Sequence, residues 1–316
     1  MAKETGETQA WVEVVGIGDQ GIWALDALME DGRSEMGVLS LQVEERALRS
    51  KKAPTMLFRR GEWAEASRIW SLPLTWEERR EQLKHHFHVE AFTGYAIEEL
   101  MSQFVFVLAD LGDRETEDML AGVTGCSGYP SDVDAFTVAV LPQQQGTTTE
   151  EAAPCLRALC RSDRKYPVVV MEMMPGEAED TAARKAMARR QSRFVRDIVE
   201  CDEAAIAWAE FTAFFQHTGA WKAWSAEGEN LAAAMDEAVE RLSRGGVLPA
   251  ARKVFVIVTG GEAEWTLSEL WAGTARLEAV LCGDAEMLLT VNSAADFGDG
   301  VRVHVAAQCS EFPKSR

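Results

Sequence analysis

A chain of 316 residues exceeds the usual reach of one hydrophobic core, so two packed domains are expected. An apolar fraction of 47% excludes large-scale disorder. A formal net charge of −19 repels nucleic acid and anionic lipid, which both need basic surface, so neither nucleic acid nor direct membrane binding is expected.

Met1 to Ala10 is polar and charged and offers no apolar core for a secretion apparatus. No apolar run is long enough to span a bilayer. The six cysteines are scattered, without a CxxC pair, which fits reduced thiols in a cytoplasmic protein, packed as small hydrophobes.

In chain order, Trp11 to Gly16 is a β-branched run that breaks at glycine, and Ile22 to Glu30 follows with apolar residues at helical spacing. Gly37 to Val43 reads as the next strand, which makes the opening a right-handed βαβ unit with a parallel sheet. Thr75 and Glu78 form a capping box for a helix through about Phe87. Phe104 to Ala109, Phe136 to Leu141 and Pro167 to Met171 are uninterrupted apolar strands of the kind covered on both faces, with a helix over Thr147 to Cys160 between the last two. Glu177 to Cys201 has neither Gly nor Pro and reads as one long helix.

Beyond it the pattern predicts helices over Ala204 to Phe215, Glu229 to Ser243 and Leu267 to Leu277, with strands over Lys253 to Thr259, Ala285 to Val291 and Gly300 to Ala306. The fold class is therefore α/β. A Rossmann-like parallel-sheet domain (1–176) leads into a central connecting helix (177–203) and a smaller α/β domain (204–316).

Gly16, Gly18 and Gly21 make G-x-G-x-x-G between a strand and a helix, with Asp19 and Gln20 inside the turn. That spacing lets backbone amides approach a pyrophosphate, and Glu44 or Glu45 ends the next strand where a dinucleotide ribose would be gripped. A dinucleotide-dependent oxidoreductase is one reading of this turn; a tight turn that binds nothing is the other.

The order of elements resembles FtsZ, the bacterial tubulin homologue, from about Val12 to Gln308. VVGIGDQGIWAL matches its first nucleotide loop, LSLQVEERAL its second strand and loop, and FVFVLADLGDRETED its glycine-rich signature loop. ARKVFVIVTGGEAEWTLSEL and VRVHVAAQ match its carboxyl-terminal domain. The resemblance implies a cytoskeletal or division-related GTPase fold, with GTP or GDP and magnesium as cofactors and polymerisation as the activity.

The site departs from that pattern. Of the signature loop only Gly112 is kept, and Asp113, Arg114, Glu115 and Thr116 stand where glycines wrap phosphates. Asp110, Glu117 and Asp118 add further carboxylates. A carboxylate about 5 Å from a phosphate charge costs roughly 3 kcal/mol at an effective dielectric of about 20. Trp23, Gln42 and Glu44 replace family residues that contact base and ribose, while Ala205, Ala207 and Glu210 keep one acid of the three that orient water in trans.

The expectation is a pseudo-GTPase with no cofactor, acting through association with itself, with another FtsZ-like protein or with another cytoplasmic partner. The alternative is a divergent GTP-binding, polymerising relative with a divalent metal bridging the carboxylates. The end of the chain at Arg316, soon after the last strand, implies no long linker to membrane adaptors.

Three further features bear on function. Arg184, Lys185, Arg189, Arg190, Arg193 and Arg196 make a basic stretch of the long helix, with Lys185, Arg189, Arg193 and Arg196 on one face, to pair with Asp113, Glu115, Glu117 or Asp118, to form local pairs in solvent, or to line an anion cleft. Trp208, Phe211 and Phe215 form a stripe that is core if buried and a partner surface if exposed. His85, His86 and His88 read as a surface cluster rather than a zinc site, and no Ser/His/Asp grouping is evident.

Overall fold

In the computed structural model, the described residues are 12–30, 36–43, 46–53, 55–58, 87–88, 104–125, 134–142, 167–174, 176–200, 208–216, 218–244, 246–261, 265–293 and 300–309. The strands are β1 (Val12–Ile17), β2 (Gly37–Val43), β3 (Thr55–Phe58), β4 (Phe87–His88), β5 (Phe104–Asp110), β6 (Asp134–Pro142), β7 (Val168–Met173), β8 (Ala220–Gly228), β9 (Lys253–Gly260), β10 (Glu286–Ser293) and β11 (Val301–Cys309). The helices are α1 (Gly18–Glu30), α2 (Arg114–Gly125), α3 (Thr181–Val199), α4 (Trp208–Phe215), α5 (Leu231–Arg244) and α6 (Leu267–Glu278).

All these strands join one sheet in the order β10-β9-β11-β8-β7-β6-β5-β1-β2-β3-β4. From β3 to β8 neighbours run parallel, and β11 is antiparallel to both β8 and β9. β5 is apolar because helices cover both its faces: Phe106, Val107, Leu108 and Ala109 are fully buried. Chain order moves outward from β1 to β2 and β3 on one side and from β5 to β6 and β7 on the other. The crevice beyond the carboxyl ends of β1 and β5 is therefore the topological switch point of the sheet.

The long helix begins later than its pattern suggests. A 3-10 turn occupies Glu177–Glu179, and Asp180 then caps α3 by accepting from the Ala182 amide at 2.9 Å. Met187, Phe194, Val195 and Ile198 form its buried face. β8 has no counterpart among the sequence expectations. Its AWKAWSAEG is rich in alanine, a weak strand former. Pairing with β7 and β11 fixes it as a strand, and Lys222 is buried there because Glu172 meets its ammonium at 2.5 Å.

The aromatic stripe is core: Phe211 and Phe215 are buried, with ring centroids 5.7 and 5.1 Å from Phe136 of β6 and 5.7 and 5.2 Å from Phe255 of β9. Neither presents a partner surface, and the Trp208 side chain lies outside the described residues. So do the expected helices before Phe87 and over 147–160, and the side chains of His85, His86 and His88. Of the cysteines, Cys282 and Cys309 are described, both as free thiols, with Cys309 buried and Cys282 half-buried. No helix among the described residues is long and apolar enough to cross a membrane.

Candidate functional site

A cleft of about 880 Å³ opens at the switch point, bordered by the turn after β1, the loop after β2, the end of β5 and the start of α3. The glycines of the first turn have reasons within the chain itself. Gly18 sits at φ +68°, and a Cβ there would lie 2.4 Å from the Thr116 hydroxyl. A Cβ on Gly21 would lie 2.3 Å from the Leu108 carbonyl, so this glycine lets α1 lie directly on β5.

The acidic stretch after β5 is mostly helix. Only residues 111–113 form the loop, and α2 starts at Arg114. Asp113 caps α2, accepting from the Thr116 amide at 3.0 Å and its hydroxyl at 2.5 Å. Glu117 reaches back, and its carboxylate accepts the Gly112 amide at 2.8 Å. Side chains of this chain thus take one of the donors that the amino terminus of α2 offers to an anion, the Thr116 amide, and the loop amide of Gly112 just before it. Burial alone would raise the Asp113 carboxyl, but Thr116 and Arg46 outweigh it and hold its pKa below the ordinary value.

Arg46, which follows β2, is the cation of this cluster. Its guanidinium lies 2.6 Å from Asp113, 3.7 Å from Glu115 and 3.8 Å from Asp19. Gln42 donates to Asp19 at 2.8 Å, so the two expected site residues join across β1 and β2. Arg114 points to solvent.

Of the readings open for the basic helix, local pairing is seen at Arg196, and Arg184 reaches an acid at the end of β5. The acidic loop does find an arginine, but from the β2 loop. Residues of α3 disperse instead: Arg184 pairs with Asp110 at 3.1 Å, Arg193 with Glu227, and Arg196 with Glu200 at 2.9 Å. Arg184 and Lys185 also stack over Trp23, 5.0 and 5.8 Å from its ring centre. Trp23 is half-buried and packs between α1 and these cations. Glu210 is exposed on α4, while Glu44, Ala205 and Ala207 lie outside the described residues.

Asp110 is the unusual acid. Burial lifts its carboxyl to about 7, against the pull of Arg184, and Asp113 adds to the rise. Its Oδ1 has no hydrogen-bond partner among the described residues.

A second ionic cluster, absent from the sequence reading, lies at the other end of α3. Asp197 accepts from Arg302 at 2.7 and 2.9 Å, from the Thr259 hydroxyl at 2.9 Å and from His304 Nε2 at 2.7 Å. A carboxylate can only accept, so Nε2 carries the proton, and Ser225 donates its hydroxyl to Nδ1 at 2.5 Å. Burial would raise Asp197, but His304 and Arg302 outweigh it and hold the carboxyl well below the usual range. Burial keeps the His304 pKa below its ordinary value and the ring neutral. Ser225, His304 and Asp197 form a chain like a hydrolytic triad, but all three are at most 3% exposed, and no substrate reaches them.

The sheet order, the crevice and the long connecting helix define an FtsZ/tubulin-like fold. The empty FtsZ dimer of M. jannaschii superposes with a TM-score of 0.67 at 18% identity, covering 98% of this chain and 92% of that one. CetZ2 from Haloferax volcanii, in a GTPγS-bound protofilament, gives 0.61 at 14% identity, with 95% and 94% covered. TubZ of Bacillus thuringiensis serovar israelensis, in GDP-form protofilaments, gives 0.58 at 10% identity, with 95% and 86% covered. No protein-family model matches the sequence, and no curated protein does.

Proposed function

We propose that the protein is a nucleotide-independent member of the FtsZ-like cytoskeletal group that works by associating with further copies of itself. The observation that carries this reading is the closed set of bonds in the crevice. Glu117 holds the Gly112 amide, Asp113 caps α2, and Arg46 is held by Asp113. A triphosphate would have to displace two carboxylates from their donors and then sit beside them, at roughly 3 kcal/mol for each close like-charged pair. The residues present do not suit GTP or its magnesium, and no catalytic step is derived through them.

Association is supported by the similar structures, a dimer and protofilaments, and by one surface feature. Leu267 and Trp271, four residues apart on α6, are 69% and 66% exposed, and aromatic anchors dominate interface energies. Sedimentation velocity tests the reading. The protein should self-associate to the same extent with and without GTP and magnesium, and Trp271→Ser should weaken association tenfold or more while leaving the thermal midpoint within about 2 °C. Assembly that requires GTP would overturn it.

A further inference from the structure

We propose that the cleft at the switch point has reversed its polarity and receives an organic cation, an ammonium or guanidinium head, with Asp110 and Gln20 as its acceptors. This rests on the reading that nucleotide is not the occupant. Gln20 is 1% exposed and lines the cleft. Its amide nitrogen donates to the Arg184 carbonyl at 3.0 Å, which fixes the orientation of the group and leaves Oε1 as an acceptor without a donor. Asp110 Oδ1, in the same cleft, is likewise without a donor.

A buried acceptor left unpaired costs about 1–3 kcal/mol, recovered by a group that brings hydrogens, whether an ordered water or the head of a ligand that displaces it. Phosphate brings none; an ammonium brings three and a guanidinium five. The charges agree. Asp19, Asp110, Asp113 and Glu179 border the cleft against Arg46 and Arg184, and both arginines are already paired. A net charge of −19 also concentrates cations around the molecule. A bare metal ion fits less well, because the described residues bring no three His, Cys, Asp or Glu side chains together to chelate one. The cleft, at about 880 Å³, has room for a head group and the stem that carries it.

The head group has two sources, a free polyamine or a basic side chain from a partner, and two probes separate them. Spermidine and an acetylated, amidated tri-arginine peptide are titrated calorimetrically into the full chain at constant ionic strength. We expect saturable one-to-one binding of one of them, and which one binds names the source. Asp110→Asn should weaken binding tenfold or more, and exposed Glu179→Gln about twofold.

Asp110 is faced by Arg184, Asp113, Arg46 and Asp19, and its carboxyl near 7 must ionise to hold a cation. Affinity should therefore fall about tenfold from pH 8 to pH 6 in the parent chain and stay level in Asp110→Asn. Should Asp110→Asn not fold, Gln20→Leu is expected to show the same loss at pH 8. Silence toward both probes, equal displacement by magnesium chloride, or unchanged affinity in the variants overturns the inference. Silence toward GTP as well would leave the proposed function standing, whereas GTP binding would strike that reading directly.

Discussion

The two ends of α3 carry the same chemistry with opposite outcomes. At its amino end Arg184 meets Asp110, a buried carboxyl with one oxygen unpaired, and the pKa climbs to about 7. At its carboxyl end Asp197 is more deeply buried, yet two guanidinium nitrogens, a hydroxyl and an imidazole satisfy it and its pKa drops. Burial sets the cost of a charge, and the number of donors decides whether that cost is met. A complete set makes a structural knot; an incomplete one leaves a group poised for a ligand.

The strongest way to break this contrast is Asp197→Ala. It takes from buried Arg302 the acceptor of two of its bonds, with Glu227 still 3.4 Å away, and should cost about 3–5 kcal/mol in urea unfolding, whereas removing both charges together, Asp197→Leu with Arg302→Met, should restore most of the loss. A cost under about 1 kcal/mol for the single variant would mean that the knot is not holding α3 to β9 and β11.

Next in size is the pH dependence at the cleft. The folded Asp110 keeps its proton up to about pH 7, while the unfolded chain releases it near the ordinary aspartate value of 3.8. The folded state then binds more protons between those values, so this residue's contribution makes stability fall as pH rises from 4 to 7, by at most about 4 kcal/mol. Unfolding of Asp110→Asn at pH 5 and pH 8 should lack that decline.

Smaller again is Gly21→Ala, whose new Cβ would press on the Leu108 carbonyl at 2.3 Å. A loss of about 2 kcal/mol is expected in chemical unfolding. A neutral result would mean that α1 can lift from β5 and that the glycine is there for some other reason.

What the sequence disclosed divides along physical lines. β5, β6, β7 and β9 are legible because strands buried on both faces need long apolar runs, and β1 because its β-branched run stops at a glycine turn. α3 was legible from the absence of Gly and Pro, but its start was not, because the cap at Asp180 follows a 3-10 turn with no apolar signal of its own. β8 was hidden, since its register depends on β7 and β11, far away in the chain.

The site shows the same split. The crowding of carboxylates after β5 is visible in the sequence, but which cations meet them is not. Arg46, which meets Asp113, is one arginine after a strand and carries no periodic signal, while four basic residues on a helix face do. Asp197, Arg302 and His304 are separated by 105 and 107 positions, and no local pattern announces such a contact.

The most direct test of the central claim is calorimetric titration of GTP with magnesium into the parent chain and into Asp113→Gly with Glu117→Ala, which frees the Gly112 amide and the start of α2. The parent should give no saturable heat at millimolar GTP, and phosphate-dependent binding should become measurable once those two carboxylates are gone. Micromolar binding of GTP by the parent chain would contradict it.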